Sequence, residues 1–211
     1  MSLTRRTAVL ALGLAALAPA AVAQSPLSPD DQALVAKATA YLQGLDEAKG
    51  RFVQVDQRGQ TTEGAFYLQR PGKARFEYDL PSGLVVVSDG AAVTVADNRL
   101  KTFERFPLGA TPLSLFLAKT IRLDKGVVVT AIDRQPGGFT LVARDGHRKN
   151  AGQLALAFTE TPIQLVSWAA TDAQGRTTRV RLIGLARTSG LDRALFTPQD
   201  PRRAPSAHAP M

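Results

Sequence analysis

Between Gly64 and Gly90 apolar and polar residues alternate in short runs divided by turn residues. The first run carries Phe66 and Leu68 at alternate positions, the second Phe76 and Tyr78, and the third gives up alternation for Leu84-Val85-Val86-Val87. Alternation predicts strands with one dry face, whereas an unbroken apolar run predicts a strand dry on both. Pro71-Gly72, Pro81-Ser82-Gly83 and Asp89-Gly90 supply the turns, Asp-Gly being suited to a tight hairpin with positive φ. The stretch predicts a β-meander.

Upstream the apolar spacing becomes helical. Leu34, Val35, Ala38, Tyr41, Leu42 and Leu45 fall on one stripe, preceded by Ser28 as N-cap, Pro29 at the first helical position and the acids Asp30 and Asp31. A strand over residues 50–57 turns at Arg58-Gly59 into the strand of Phe66. Gly64, Phe66, Leu68 and Arg70 share one side of that strand, so an arginine ends an apolar face. Strands are predicted at 93–96 and 100–106. Thr111-Pro112 then caps a short helix, Leu113 to Leu117, that is apolar nearly all round and must be covered or face something greasy. Further strands follow at 127–133, 139–144, 152–159, 163–171 and 176–186. Ten or eleven short strands in a meander predict a mainly β fold with short helices, an incomplete, strongly curved antiparallel β-barrel.

Composition narrows the setting. Residues 1–23 have the parts of a cleavable signal peptide: Arg5 and Arg6, an apolar segment from Ala8 to Leu17, and Ala21-Val22-Ala23 before Gln24. They suit the general secretory route, and the arginine pair leaves twin-arginine export open. The expected organisation is a signal peptide at 1–23, a single β domain at 24–197, and a disordered C-terminal tail at 198–211 rich in proline and small residues. The chain has no cysteine, which excludes disulfides, thiolate metal sites and a lipid anchor on a cysteine following the cleavage site. Without Arg5 and Arg6, 24 basic residues face 18 acidic ones, a formal charge of +6. That charge suits an anionic membrane surface or an acidic partner, although solvated arginine-rich strand faces also produce it. Nucleic acid is not an expected partner, since no aromatic and basic residues interleave as in an RNA-binding sheet.

The candidate chemistry is thin. His147 and His208 are the two histidines, and neither sits among carboxylates at metal-ligand spacing. Glu77 and Asp79 share a strand face with Lys73 and Arg75, which reads as a solvated charge ladder before it reads as an acid and base pair. The chain is expected to be neither an enzyme nor a cofactor binder. Arg70 stands out: at the end of an apolar face its guanidinium either escapes to water or needs hydrogen-bond partners.

Arg70-Pro71-Gly72-Lys73, Arg75-Phe76-Glu77-Tyr78, Pro81 and Val87-Ser88-Asp89-Gly90 resemble the core signature of the periplasmic outer-membrane lipoprotein carrier family, LolA. The resemblance extends through Phe52, Gln54 and Gly59, and through Thr111-Pro112-Leu113, Gly152-Gln153-Leu154, Phe158, Leu165, Trp168, Asp172, Gly175 and Phe196. Ala74 and Ala96 depart from it, standing where the family commonly has aromatic residues. The resemblance implies an incomplete barrel closed by an α-helical lid over an apolar cavity. It further implies a monomeric periplasmic chaperone that takes acylated lipoproteins from an inner-membrane lipoprotein-releasing ABC transporter (LolCDE-like). Delivery is to an outer-membrane receptor (LolB-like) or to the outer membrane directly. Arg70 matches the arginine that bonds the lid and is the candidate for lid gating. The acyl-chain cavity candidates are Leu42, Phe66, Leu68, Phe76, Tyr78, Val85, Val87, Leu115 and Phe116, for which apolar patterning does not separate cavity wall from ordinary core. A periplasmic sensor, or a carrier of another lipid, would use the same scaffold without transporting lipoproteins.

Overall fold

Ser28 accepts a hydrogen bond from the Asp31 amide at 3.1 Å, and Pro29 opens the helix α1, Pro29–Gln43. In the computed structural model, which describes residues 27–123, 126–147 and 152–203, α1 buries Leu34, Val35, Ala38 and Leu42. Leu45, the last residue of the predicted stripe, is buried in the turn beyond the helix. Tyr41 is half-buried and meets Phe158 edge-on.

Eleven strands follow, all in one antiparallel sheet. They are β1 Glu47–Val55, β2 Thr61–Gln69, β3 Lys73–Tyr78, β4 Leu84–Asp89, β5 Ala92–Asp97 and β6 Thr102–Pro107, then β7 Val127–Gln135, β8 Gly138–Asp145, β9 Gln153–Glu160, β10 Ile163–Thr171 and β11 Thr177–Arg187. Their order is β6-β5-β4-β3-β2-β1-β11-β10-β9-β8-β7, so β6 and β7 are unpaired edges and the sheet is not closed. Two meanders of hairpins meet at one long-range seam, where β1 pairs with β11. Register shifts at Lys49/Arg51, Leu165/Ser167 and Val129/Ala131 add local bend and twist. The chain from β6 to β7 passes through a 3-10 turn, Leu108–Ala110, and the short helix α2, Leu113–Leu117. The Thr111 hydroxyl does not cap α2; it donates to Leu108 O at 2.8 Å and closes the preceding turn.

Gly64 permits the tightest crossing. A Cβ there would lie 2.1 Å from Glu77 O and 2.7 Å from the Phe52 ring, so only glycine lets Phe52 lie over β2. Alternation along β2 and β3 then turns Phe66, Leu68, Phe76 and Tyr78 to the same inner face, where they join one buried apolar cluster with α1 and α2.

The apolar run of β4 is covered on both faces by different partners. Leu84 and Val86 pack against the main cluster, whereas Val87 pairs with Arg75 and Val85 with Glu77 on the outer face. A C-terminal 3-10 segment, Arg193–Phe196, lies over β3 and β4 there, with Phe196 buried and Leu195 O accepting from Arg75 Nη1 at 3.2 Å. Pro198 and Gln199 continue along a recess lined by Arg75, Val85, Val87 and Ala96. Further on, the Arg202 guanidinium lies 5.6 Å from the centre of the Phe103 ring. The expected signal peptide at 1–23 and residues 204–211 of the expected tail lie outside the described residues.

Candidate functional site

The inner face gathers its aromatic rings at one place. Phe76 lies 4.9 Å from Phe66, 5.3 Å from Phe52 and 5.6 Å from Trp168, measured between ring centres. Phe66 lies 5.7 Å from Trp168, and Tyr78 meets Phe52 edge-on at 5.0 Å. Phe116 of α2 stacks on Trp168 at 5.9 Å, so the short helix supplies the last ring of the set. Aromatic pairs in these geometries add to the effect of burial alone. The Tyr78 hydroxyl donates to Gln54 Oε1 at 2.6 Å; burial, against that hydrogen bond, pushes its pKa up to about 12. The phenol is therefore neutral at physiological pH.

Arg70 closes this interior at one end. Its residue is 8 % exposed, and its guanidinium donates to three backbone carbonyls: Leu42 O from Nη1, Ala118 O from Nε at 3.3 Å and Lys119 O from Nη2 at 3.5 Å. Leu42 is in the last turn of α1, and Ala118 directly follows α2. Carbonyls at helix C-termini lack intrahelical partners and carry partial negative charge, which suits a cation placed between two such ends. Burial lowers the pKa of Arg70 from its ordinary value, opposed by the charge of Asp46; a guanidinium stays charged regardless. Neighbouring bonds tie the same pieces together. Gly72 N donates to Leu117 O at 2.7 Å, and Gln43 Oε1 accepts from Ile121 N at 2.8 Å. Among the described residues, no carboxylate forms an ion pair with Arg70, so neutral acceptors hold the charge.

The far side of α1 is tied down more weakly. Arg134 of β7 meets Asp31 at 2.7 Å, and Lys37 meets Glu160 of β9 at 3.4 Å. The Arg134 hydrogen bond, followed by that of Ser28, lowers the pKa of Asp31. Both pairs face solvent, where such contacts contribute at most about 1 kcal/mol.

Of the cavity candidates, Leu42, Phe66, Leu68, Phe76, Tyr78 and Phe116 lie in the main buried cluster, with Leu115 half-buried against it. Val85 and Val87 do not belong with them. Strand alternation turns both to the outer face, under the C-terminal segment, and it is Leu84 and Val86 that look inward. Phe52 and Trp168 are inner-face residues that hydrophobic patterning did not single out. Phe52 finds its room over the glycine opposite it, since Gly64 pairs with Phe52 across β1 and β2. The departures from the aromatic pattern also fall on opposite faces: Ala74 joins the inner cluster, and Ala96 lies under the C-terminal segment. In the charge ladder Arg75 pairs with Glu77 at 3.0 Å and Asp79 with Arg51, while Lys73 donates to Gln69 Oε1 at 3.3 Å. His147 is exposed in a turn, and His208 lies outside the described residues. Among the described residues no cluster of metal-ligating side chains occurs, and no helix is long and apolar enough to cross a membrane.

Residues 43–199 match the family of the outer membrane lipoprotein carrier protein LolA. The chain is 31% identical over 165 residues to the outer-membrane lipoprotein carrier protein of Alcanivorax borkumensis, covering 74% of this chain and 78% of that one. It is 26% identical over 193 residues to the protein of the same description from Chromobacterium violaceum, covering 88% and 93%. In fold it is similar to a crystal structure of a DUF1329 family protein from Desulfovibrio piger, with a TM-score of 0.50, 11% identity, and coverage of 80% of this chain and 96% of that one.

Proposed function

Because the chain belongs to the outer membrane lipoprotein carrier family LolA, we propose that it shields the acyl chains of lipoproteins released from the inner membrane and carries them through the periplasm to the outer membrane. The observation that carries this reading is an apolar, aromatic-filled interior whose helical cover is held by one arginine on three backbone carbonyls. Each methylene kept from water contributes about 0.8 kcal/mol, so an acylated protein needs a dry host on the way. An open, empty host would expose a large apolar patch. A cover that closes when the interior is empty and yields to acyl chains meets both needs.

Magnitudes make such a cover workable. Swinging α2 away exposes Phe116 and Leu117, costing roughly 3–6 kcal/mol of apolar burial, and breaks charge-assisted hydrogen bonds with a net contribution of about 2 kcal/mol. Roughly six to ten methylenes entering the interior offset that cost at the same rate. In this mechanism Arg70 gates the lid: it holds the ends of α1 and α2 together when the carrier is empty and releases them when acyl chains occupy the space of Phe116. Leu42, Phe66, Leu68, Phe76, Tyr78 and Leu115 then line the acyl chains, together with Phe52 and Trp168. Nothing is chemically converted. The carrier works in the periplasm after export by residues 1–23, receiving cargo from an ABC transporter of the LolCDE type and handing it to a LolB-type receptor or to the membrane itself.

The test is native mass spectrometry of the protein isolated from its own periplasm, beside a release assay on inner-membrane vesicles. An acylated protein bound at one-to-one stoichiometry, with release that requires this chain, is the expected result. A bound free lipid without lipoprotein release would replace this reading with carriage of another lipid. An apolar-free protein that releases nothing would end it.

A further inference from the structure

The sheet leaves β6 with a bare edge, and the register decides which of its main-chain groups are free. Leu108 N donates to Ala91 O at 3.0 Å, so Ala92 and Pro107 face each other without exchanging hydrogen bonds. The alternation of an antiparallel ladder then gives the bonds between β5 and β6 to Thr102, Glu104 and Phe106. Phe103 and Arg105 therefore turn both amide and carbonyl away from the sheet, and Pro107 its carbonyl alone. Among the described residues nothing accepts from either amide, and five of the six residues of β6 are exposed. The opposite edge is less open: β7 has an irregularity at Val129/Ala131, its first three residues are half-buried, and Asp31 engages its Arg134.

This edge borders the interior. Phe106 pairs with Val93, and both Val93 and Leu108 belong to the main buried cluster, while Phe106 itself is 46 % exposed. Its ring thus stands at the rim between the dry inner face and water. A lipid attached to a polypeptide meets a difficulty at such a rim. The acyl chains go in, but the main chain beside them carries a donor and an acceptor at each residue and loses water where it touches the wall. Resting on the carriage of acylated proteins argued above, we propose that the polypeptide next to the acyl chains adds to β6 as a further strand. It bonds to the amides of Phe103 and Arg105 and to the carbonyls of Phe103, Arg105 and Pro107. Strand addition reads main chain rather than side chains, so cargoes of unrelated sequence are held alike. Pro107 ends the free edge, and Arg105 is tied to Asp89 at 2.8 Å; the grip is short, which favours release and discourages longer edge-to-edge pairing.

The probe is a synthetic peptide of alternating serine and threonine with palmitoyl chains on its N-terminal residue, offered to the full exported chain beside free palmitate as the lipid-only control. Amide hydrogen exchange is expected to slow roughly tenfold or more at Phe103 and Arg105 when the lipopeptide is bound, and to stay unchanged at both with palmitate. Arg105→Pro removes one outward amide and no ladder bond, since proline is tolerated at an edge position whose N–H faces water. Arg105→Ala loses the same pairing with Asp89 and keeps the amide. Relative to Arg105→Ala, Arg105→Pro should weaken the lipopeptide roughly fivefold and leave palmitate binding as it is. Unchanged exchange at Phe103 and Arg105 with the lipopeptide bound, or equal affinities of the two variants, overturns the proposal while carriage stands. Failure of lipopeptide and palmitate alike to bind overturns carriage and the proposal together. Protection of both amides that grows with protein concentration, without lipopeptide, overturns it in favour of edges pairing between copies.

Discussion

Replacing Arg70 by leucine tests the latch quantitatively, because its carbonyls differ in what they have left. Leu42 O also accepts from Leu45 N at 3.1 Å, and Lys119 O from Gln43 Nε2 at 3.4 Å. Ala118 O, among the described residues, has Arg70 as its partner. Arg70→Leu therefore orphans one carbonyl outright and thins two others. Ala118 is half-buried, so its unsatisfied carbonyl costs at most the roughly 1–3 kcal/mol of a fully buried acceptor, and leucine restores apolar packing at the same place, so global stability falls by no more than that. Confined to the lid, 1–3 kcal/mol shifts an open–closed equilibrium by roughly 5–150-fold. Amide hydrogen exchange reads this shift residue by residue. Gly72 N bonds to Leu117 O and Ile121 N to Gln43 Oε1, so both amides report on the cover, while Phe52 and Val53 in the β1–β11 seam report on the sheet. The expected outcome is exchange accelerated by that factor at Gly72 and Ile121 with the seam unchanged. Equal protection at Gly72 and Ile121 in both proteins would refute the role given to Arg70. Acceleration everywhere would mean that the residue supports the whole fold rather than the lid.

Three further outcomes follow from the same geometry. Trp168 is the sole tryptophan and stacks on Phe116, so Phe116→Ala should red-shift its emission and cost about 3 kcal/mol in denaturant titration; unchanged emission would place Phe116 elsewhere. Gly64→Ala drives a Cβ onto the Glu77 carbonyl and should cost more than about 3 kcal/mol, or prevent folding, whereas a stable variant with a native near-ultraviolet spectrum would contradict the crossing. Tyr78 ionises near its ordinary 10.0 when unfolded and at about 12 when folded, so the unfolded state loses its proton first. Stability present below pH 10 should fall between pH 10 and 12 by about 1.4 kcal/mol per pH unit from this group, and Tyr78→Phe should remove that part of the slope.

Much of the architecture can be read from local pattern. Proline-bounded β10 and the apolar α2 have the limits that their residues imply, because turn chemistry fixes both ends. β1 begins at Glu47, three residues before the predicted strand, because Glu47 and Ala48 pair with Gln69 and Leu68 across the sheet, a constraint absent from the segment itself. Arg70 was recognisable as a charge on a dry face, but its acceptors near residues 42 and 118 were not, since carbonyls are anonymous in a sequence. Val85 and Val87 mark where patterning runs out. An apolar run says that both faces are covered without saying by what, and the outer cover comes from Phe196, more than a hundred residues away in the chain.

The connection between the two edge strands has a mechanical consequence. Residues 108–126 carry α2 and join β6 to β7, the strands that leave the sheet open. Fully stretched, such a segment spans no more than roughly 70 Å, and every turn of helix it keeps shortens that reach. The segment is thus a drawstring as well as a cover: helix retained in α2 limits how far the edges can part, and helix surrendered lengthens the cord. Shortening it at the 3-10 turn should cap the girth of what the half-barrel can hold while leaving the apolar lining itself untouched.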